Sequence, residues 1–455
     1  MKSRTCRLLQ RSALAAAIAG ISAPASASFF ALAEQNGSGL GTAFAGGAAI
    51  AEDASTVWYN PAGMTHLTRP QLVFAGSYID LNIKTNVNSA TTVQGTPIGG
   101  GAGKDPGTSA LVPSLYYTNP ITKDFSVGAG INAPFGLTTE YDSTWAGRYH
   151  AIKSDIKAIN YNASGAYKFN DVFSGGAGIN YQTFKAELTQ AVDFATICNV
   201  SGASGICGGV GGTNDGSAKV TADGNAWGYN LGLLAELPNN FRVGVAYRSK
   251  MKQSLSGNFD ITVPASVTAV PGNAVIAGTG LVNSGAKADV VLPSSLSVSF
   301  YQQLGPQWAF MADITKTNWS SIQELRIKFD SSQADSVVTL NLQNSYRYSF
   351  GMTYKPNDTW ILRGGVAIDQ TPVTSAATTT PRLPDGDRTW MAFGAGLKAS
   401  PSLDFDFGYA LIKVDNPQVR KTAGGPGTEN FARGNLSVDY TATIQVLSAQ
   451  ARWMF

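Results

Sequence analysis

From residue 72 onward, apolar and polar residues alternate in short runs separated by turn-forming residues. The runs are Leu72–Asn82, Ala110–Thr118, Phe125–Ala133, Ile152–Phe169, Val172–Leu188, Ala226–Leu237 and Phe241–Ile261. They continue at Asp289–Leu304, Trp308–Phe329, Tyr346–Tyr354, Trp360–Ile368, Trp390–Lys398, Leu403–Val414 and Leu436–Phe455. A period of two puts successive side chains on opposite faces of a strand, so each run predicts a strand with one apolar and one polar face. Short connections rich in Pro, Asn, Asp and Gly fall at Asn119–Asp124, Asn170–Asp171, Pro238–Asn240, Gly305–Gln307, Lys355–Asp358 and Ala399–Pro401. Between them lie long ones, near 84–108, 135–149, 189–224, 262–287, 330–344, 369–388 and 415–434. About fourteen amphipathic strands, with short and long connections in strict alternation, predict an all-β fold. The expected form is a transmembrane antiparallel β-barrel, with short periplasmic turns, long external loops and both termini in the periplasm.

Composition supports a membrane barrel. Charged residues make up 14% of the chain, against about 25% in soluble proteins. No segment after residue 27 offers the ~20 apolar residues of a spanning helix. A closed barrel is the other structure that satisfies every backbone group in lipid. The last strand ends Ala449, Ala451, Trp453 and Phe455 on one face and Gln450, Arg452 and Met454 on the other. It resembles the signal read by the barrel assembly machinery, although an ordinary amphipathic strand would share the pattern.

The N-terminus has Lys2, Arg4, Arg7 and Arg11, an apolar run near 13–21, and Ala25-Ser26-Ala27. That order predicts a signal peptide over residues 1–27, cleaved after Ala27. Its removal takes four of 33 basic and none of 30 acidic residues, leaving 29 against 30 and a formal charge of −1. With no basic cluster remaining, nucleic acid is not an expected partner.

Residues 28–69 are rich in Gly and Ala and poor in large apolar residues. So short a stretch rarely folds alone. It is expected to pack inside the barrel (residues 70–455) as a plug, or hatch. Phe29, Phe30 and Leu32 would expose much apolar surface to the periplasm unless they lie in the lumen. Of the cysteines, Cys198 and Cys207 share one external loop, and an oxidising compartment favours a disulfide. A zinc site would need more ligands than His66 and His150, distant in sequence, supply. Gly37-Ser38-Gly39-Leu40-Gly41 follows no strand and opens no βαβ unit. No catalytic signature is present, and neither an enzyme nor a metal or cofactor is expected.

Several motifs, in order, carry a resemblance over nearly all of the chain after residue 27. They are Gly37-Ser38-Gly39-Leu40-Gly41, Ala51-Glu52-Asp53-Ala54, Asn60-Pro61-Ala62-Gly63, Asn132-Ala133-Pro134-Phe135-Gly136-Leu137 and Trp145-Ala146-Gly147-Arg148-Tyr149. Leu292-Pro293, Trp319-Ser320, Asp369-Gln370-Thr371-Pro372 and Arg382-Leu383-Pro384-Asp385-Gly386-Asp387-Arg388 follow. The chain resembles the FadL/TodX (OmpP1) outer-membrane transporters of hydrophobic compounds. The resemblance implies a ligand held first in a groove of the external loops, then in a pocket beside the N-terminus. Release would be sideways, through a gap at an inward kink of the third strand.

On that reading Asn60, Pro61 and Ala62 latch the plug near the third strand, the alternative being a plain turn before the first strand. Asn132, Pro134, Phe135 and Gly136 form the lateral gate, since a proline in a spanning strand lacks a ladder donor. The alternative is that Pro134 ends the strand at the external rim. Ligand contacts are expected from Phe29, Phe30, Leu32, Arg148, Gln190 and Arg326. Gln190 and Val338 stand where the family's fatty-acid transporters place basic residues, with Arg326, Lys328 and Lys185 nearby. The implied cargo is a long-chain fatty acid. A mono-aromatic hydrocarbon is the alternative, and a structural or adhesive barrel with a closed plug is a second. Expected partners are the hydrophobic ligand, outer-membrane lipids and lipopolysaccharide, and the assembly machinery, with the chain a monomer.

Overall fold

The computed structural model describes residues 29–200, 213–268 and 279–455. The leader with its cleavage point, Ser28 and Cys207 lie outside them. The Cys198–Cys207 pairing therefore lies outside them too, while Cys198 itself is buried against Phe194 and Val267.

The wall is built from β1 Gln71–Thr91, β2 Ser109–Pro120, β3 Phe125–Glu140, β4 Lys153–Lys168, β5 Phe173–Asp193, β6 Asp215–Leu237, β7 Phe241–Arg248, β8 Met251–Thr262, β9 Ser284–Leu292 and β10 Ser295–Leu304. It continues with β11 Trp308–Thr317, β12 Glu324–Phe329, β13 Ser336–Thr339, β14 Ser345–Tyr354, β15 Trp360–Asp369, β16 Arg388–Ser400, β17 Leu403–Val414, β18 Gln418–Lys421 and β19 Asn435–Met454. Every pairing between them is antiparallel, and β1 pairs with both β2 and β19, which closes the barrel. The pieces β7/β8, β9/β10, β11/β12, β13/β14 and β17/β18 are interrupted single crossings, so nineteen segments make fourteen crossings. The alternation had predicted that number, but not the breaks. The break between β9 and β10 falls at Pro293-Ser294, where proline lacks the ladder donor; that between β11 and β12 is a 3-10 turn at Trp319–Ser321. The strands also run further outward than the sequence suggested: β6 starts at Asp215 rather than Ala226, and β3 continues through Pro134 to Glu140.

Alternation places the two faces. On β1, Val73, Ala75 and Ser77 are buried in the lumen while Phe74 is 58% and Tyr78 45% exposed outward. On β19, Gln450 points inward and Trp453 outward. Exposed Tyr117, Phe125, Tyr167, Phe169, Trp308 and Trp360 cluster near the short turns. Such an aromatic girdle is expected where a barrel leaves the hydrocarbon core.

Residues 29–67 thread the lumen. Helical turns at Gly37–Leu40, Gly47–Ile50 and Thr56–Tyr59 are followed by a 3-10 turn at Pro61–His66. The wall admits them through glycines. A Cβ at Gly232 would overlap the Asn60 side chain, and one at Gly244 the Ala48 carbonyl. Phe29, Ala43, Phe44 and Ala51 take positive φ without being glycine. This backbone costs of order 1–2 kcal/mol per residue, so the segment carries strain that the surrounding wall holds in place.

Candidate functional site

The β3 strand departs from its neighbour part-way up. Pairing of β2 with β3 runs from Pro120↔Ser126 to Leu115↔Ile131 and stops. On the other side β3 keeps β4, with a register shift between Asn132 and Phe135. Pro134 therefore does not end the strand; it sits in a bulge within it. The N-terminal segment occupies the vacated inner edge. Leu32 N donates to Pro134 O (2.9 Å) and Gly136 N donates to Phe30 O (3.1 Å), with Ala31 bridging Phe135. Gln35 completes the junction: its amide donates to Ala133 O (3.0 Å) and accepts from Asn132 (2.8 Å). Its carbonyl accepts from Ser114 and Tyr116 of β2. One glutamine thus touches both strands at the point where they part.

Above this junction Phe29, Phe30, Phe135 and Trp319 pack ring to ring, with centroids 5.1–6.2 Å apart. Phe184, Met251, Leu255 and Leu292 extend the same apolar cluster. The residue before Phe30 is tied down from above, since Phe29 N donates to Asp385 (3.2 Å) and Phe29 O accepts from Arg388 (2.8 Å).

Outward of the cluster lies a cleft of about 1000 Å³. Leu188, Val220, Phe259, Ile327 and Val338 supply apolar wall, Gln190, Arg382 and Arg433 supply donors, and Glu324, Asp335 and Glu429 add carboxylates, of which Glu429 pairs with Arg433 (3.5 Å). Arg382 is buried and donates to Gln190 Oε1 (2.7 Å), Ser154 and the carbonyls of Lys153 and Thr189. Among the described residues no carboxylate pairs with it. Burial, with Arg433 adding repulsion, pushes its guanidinium down to about 9. A guanidinium nevertheless keeps its proton, so the buried charge invites an anion.

His150 is buried next to Tyr149, which lines the cleft. Burial, with Arg433 and Lys421 beyond it, pushes its imidazole from 6.5 down to about 3. An opened loop would titrate near 6.5, so the closed loop has constant stability above that pH and loses it as pH falls toward 3. Amide exchange around residues 148–152 should therefore speed up from pH 7 to pH 5 beyond its intrinsic change, and not in His150→Gln.

The lower part of the segment is anchored by polar contacts. Asn60 is fully buried; its amide donates to Ala48 O (2.7 Å) and Leu233 O (2.9 Å), and its oxygen accepts from Ala62 N (3.0 Å). The Asn60-Pro61-Ala62 turn and the residues after it therefore meet the wall chiefly on β4 to β6 and only secondarily on β3, because Gly176 and Gly232 leave room there. Arg363 joins Glu52 (2.6 Å) to Asp406 (2.7 Å), and Gln450 joins Gly37 to Asp53.

The remaining expected ligand contacts divide. Phe29, Phe30 and Leu32 lie in the lumen at the junction, and Gln190 lines the cleft. Arg148 does not face that space as a free donor: it binds Asp215 (2.6 Å), Gly99 O and Trp145 O, bracing the loops. Arg326 lines the cleft, but its guanidinium pairs with Glu324 (2.6 Å) and Asp335 (3.1 Å) in solvent. Lys185 and Lys328 are exposed. Arg382, Arg433, Trp319 and Gln35 were not singled out. Arg382 and Trp319 stand in motifs already noted, and that was the available signal.

Comparison with known proteins agrees. The chain is 33% identical to the "Long-chain fatty acid transport protein" of Salmonella typhi, over 91% of this chain and 94% of that one. The crystal structure of a Pseudomonas aeruginosa FadL homologue superposes with a TM-score of 0.85 at 28% identity, covering 94% of this chain and 99% of that one. The Ralstonia pickettii toluene transporter TbuX shares the fold, at TM-score 0.64 and 19% identity over 93% of this chain and 100% of that one. Residues 18–455 match the model of the outer membrane protein transport proteins (OMPP1/FadL/TodX), and the chain belongs to that family.

Proposed function

We propose that this chain is a passive outer-membrane channel for hydrophobic small molecules, and that its cargo is a long-chain fatty acid. It works without catalysis or cofactor, as a monomer in lipid and lipopolysaccharide, with both termini periplasmic. Residues 28–69 act as a hatch latched by Asn60, Pro61 and Ala62. The ligand enters the external cleft, passes into the apolar cluster around Phe29 and Phe30, and leaves between β2 and β3 into the membrane. Carrying an apolar molecule through water costs free energy, so a sideways exit suits it better than a vertical one. The names of the Salmonella relative and the Pseudomonas homologue support uptake of this kind.

The observation that carries the fatty-acid reading is Arg382, buried with no carboxylate partner among the described residues, beside Arg433 in a cleft that also presents the apolar Leu188, Val220, Phe259, Ile327 and Val338. Arg382 supplies the positive charge missing at Gln190 and Val338, while Arg433 shares its charge with Glu429 (3.5 Å). A carboxylate accepting from a buried guanidinium makes a charge-assisted bond of about 1.5–3 kcal/mol, or roughly tenfold to a hundredfold in affinity. Arg382→Gln combined with Arg433→Gln should weaken oleate binding by about that factor and leave toluene binding unchanged. Equal affinity for oleate in the double variant, or tighter binding of toluene than of oleate by the parent chain, would favour a mono-aromatic cargo. Absence of saturable uptake of either would favour an adhesive barrel.

A further inference from the structure

Below the bend of β3 is a second chamber, of about 170 Å³. Leu32, Pro134 and Phe135 form its side toward the bend, and Asn230, Arg248 and Asp313 stand on the opposite walls. Asn230 and Arg248 are direct cross-strand partners of β6 and β7, so their side chains leave the wall side by side. Each carries an unused donor. Arg248 Nη2 donates to Trp58 O (2.6 Å) and its guanidinium lies over the Trp58 ring, 3.3 Å from the centroid. Its Nη1 is buried and has no acceptor among the described residues, and no carboxylate pairs with it there. Asn230 accepts from Asn162 (2.9 Å) and Asn180 (2.8 Å), while its buried Nδ2 has no acceptor. Buried donors left unmade are costly, and two of them side by side match the two oxygens of a carboxylate. Asp313 does not fill that role: its oxygens accept from Ser299 and Thr315.

We propose that Asn230 and Arg248 form a second carboxylate subsite, which holds the ligand's head group below the bend while its hydrocarbon tail turns into the membrane. The chamber accommodates a head group and a few carbons, and the rest of the chain reaches up past Leu32 and Phe135 to the apolar cluster. The ligand thus has two charged stations, Arg382 outside and Arg248 inside. The second draws an acid past the junction, and an uncharged analogue passes without it. This inference rests on the fatty-acid reading above.

The test compares oleate with methyl oleate, which has the same tail and no charge, in cells carrying the full chain in the outer membrane. Arg248→Gln and Asn230→Leu should each slow oleate uptake about tenfold, with methyl oleate changed less than twofold. Arg248→Lys should restore most oleate uptake, and oleate affinity at the external cleft should stay at the parental value. Equal losses for acid and ester would overturn the proposal, assigning Arg248 to the packing of Trp58 alone. Unchanged oleate uptake in Arg248→Gln would overturn it too. A parent chain that passes neither ligand would end the fatty-acid reading and this proposal together; in a chain that passes oleate, the acid-to-ester contrast decides the subsite alone.

Discussion

Gly244→Val turns the closed barrel into a leaky one. Gly244 faces the lumen on β7, and any Cβ there overlaps the Ala48 carbonyl. Two further methyls cannot be absorbed by a side-chain rotation, because the obstacle is backbone on both sides. The displaced turn at Gly47–Ile50 is tied to Asn60 by the Ala48 carbonyl and to β10 by Ser299, which accepts from Ala48 N (3.0 Å). Losing those hydrogen bonds costs about 1 kcal/mol each. The strain at Ala43, Phe44 and Ala51 then favours release of the whole lower segment. The wall is expected to survive, since its ladder does not pass through the lumen. Single-channel conductance in a planar bilayer should rise from near zero to that of an open pore, while the barrel keeps its heat-resistant migration. A Gly244→Val barrel as tight as the parent would mean that residues 29–67 do not seal the lumen.

Much of this architecture was legible in the sequence. A period of two is a local property, so the fourteen crossings and the inward and outward faces follow from residues a few positions apart. The bend at Pro134 was only half legible. Proline's missing donor is visible in the sequence, yet whether the strand stops there depends on Leu32 and Phe30, which replace the lost neighbour from a hundred residues away. The seat of the Asn60 turn was placed too near β3 for a similar reason: the room made by Gly176 and Gly232 is a property of β5 and β6 that nothing near Asn60 reveals. Arg382 and Arg433 come from two different loops and become one site only when the barrel brings those loops together. Arg148 and Arg326 looked equally suitable by type. Their acidic partners, Asp215 for one and Glu324 and Asp335 for the other, occupy them, as Glu429 occupies Arg433, and leave Arg382 as the arginine of the cleft without a carboxylate among the described residues.

The largest effect of all is expected from closing the gap in the wall. Above Leu115↔Ile131 the register would next join Ser114 to Asn132 and then Pro113 to Ala133, and neither pair forms. Pro113 faces outward, away from the lumen, so a bridge from it to residue 133 lies across the opening and leaves the hatch untouched. If the ligand leaves sideways, this is the opening it must use. A vertical route past the hatch would not notice the bridge.

The direct measurement is therefore oleate uptake by the Pro113→Cys, Ala133→Cys double variant, before and after joining the thiols with a short reducible crosslinker. Lateral exit predicts normal uptake with free thiols, loss of roughly nine-tenths or more of it in the fully joined protein, and recovery on reduction, because a blocked sole route leaves no parallel aqueous path for an apolar ligand. Undiminished uptake by the fully crosslinked barrel would contradict it, and would send the ligand down through the hatch instead.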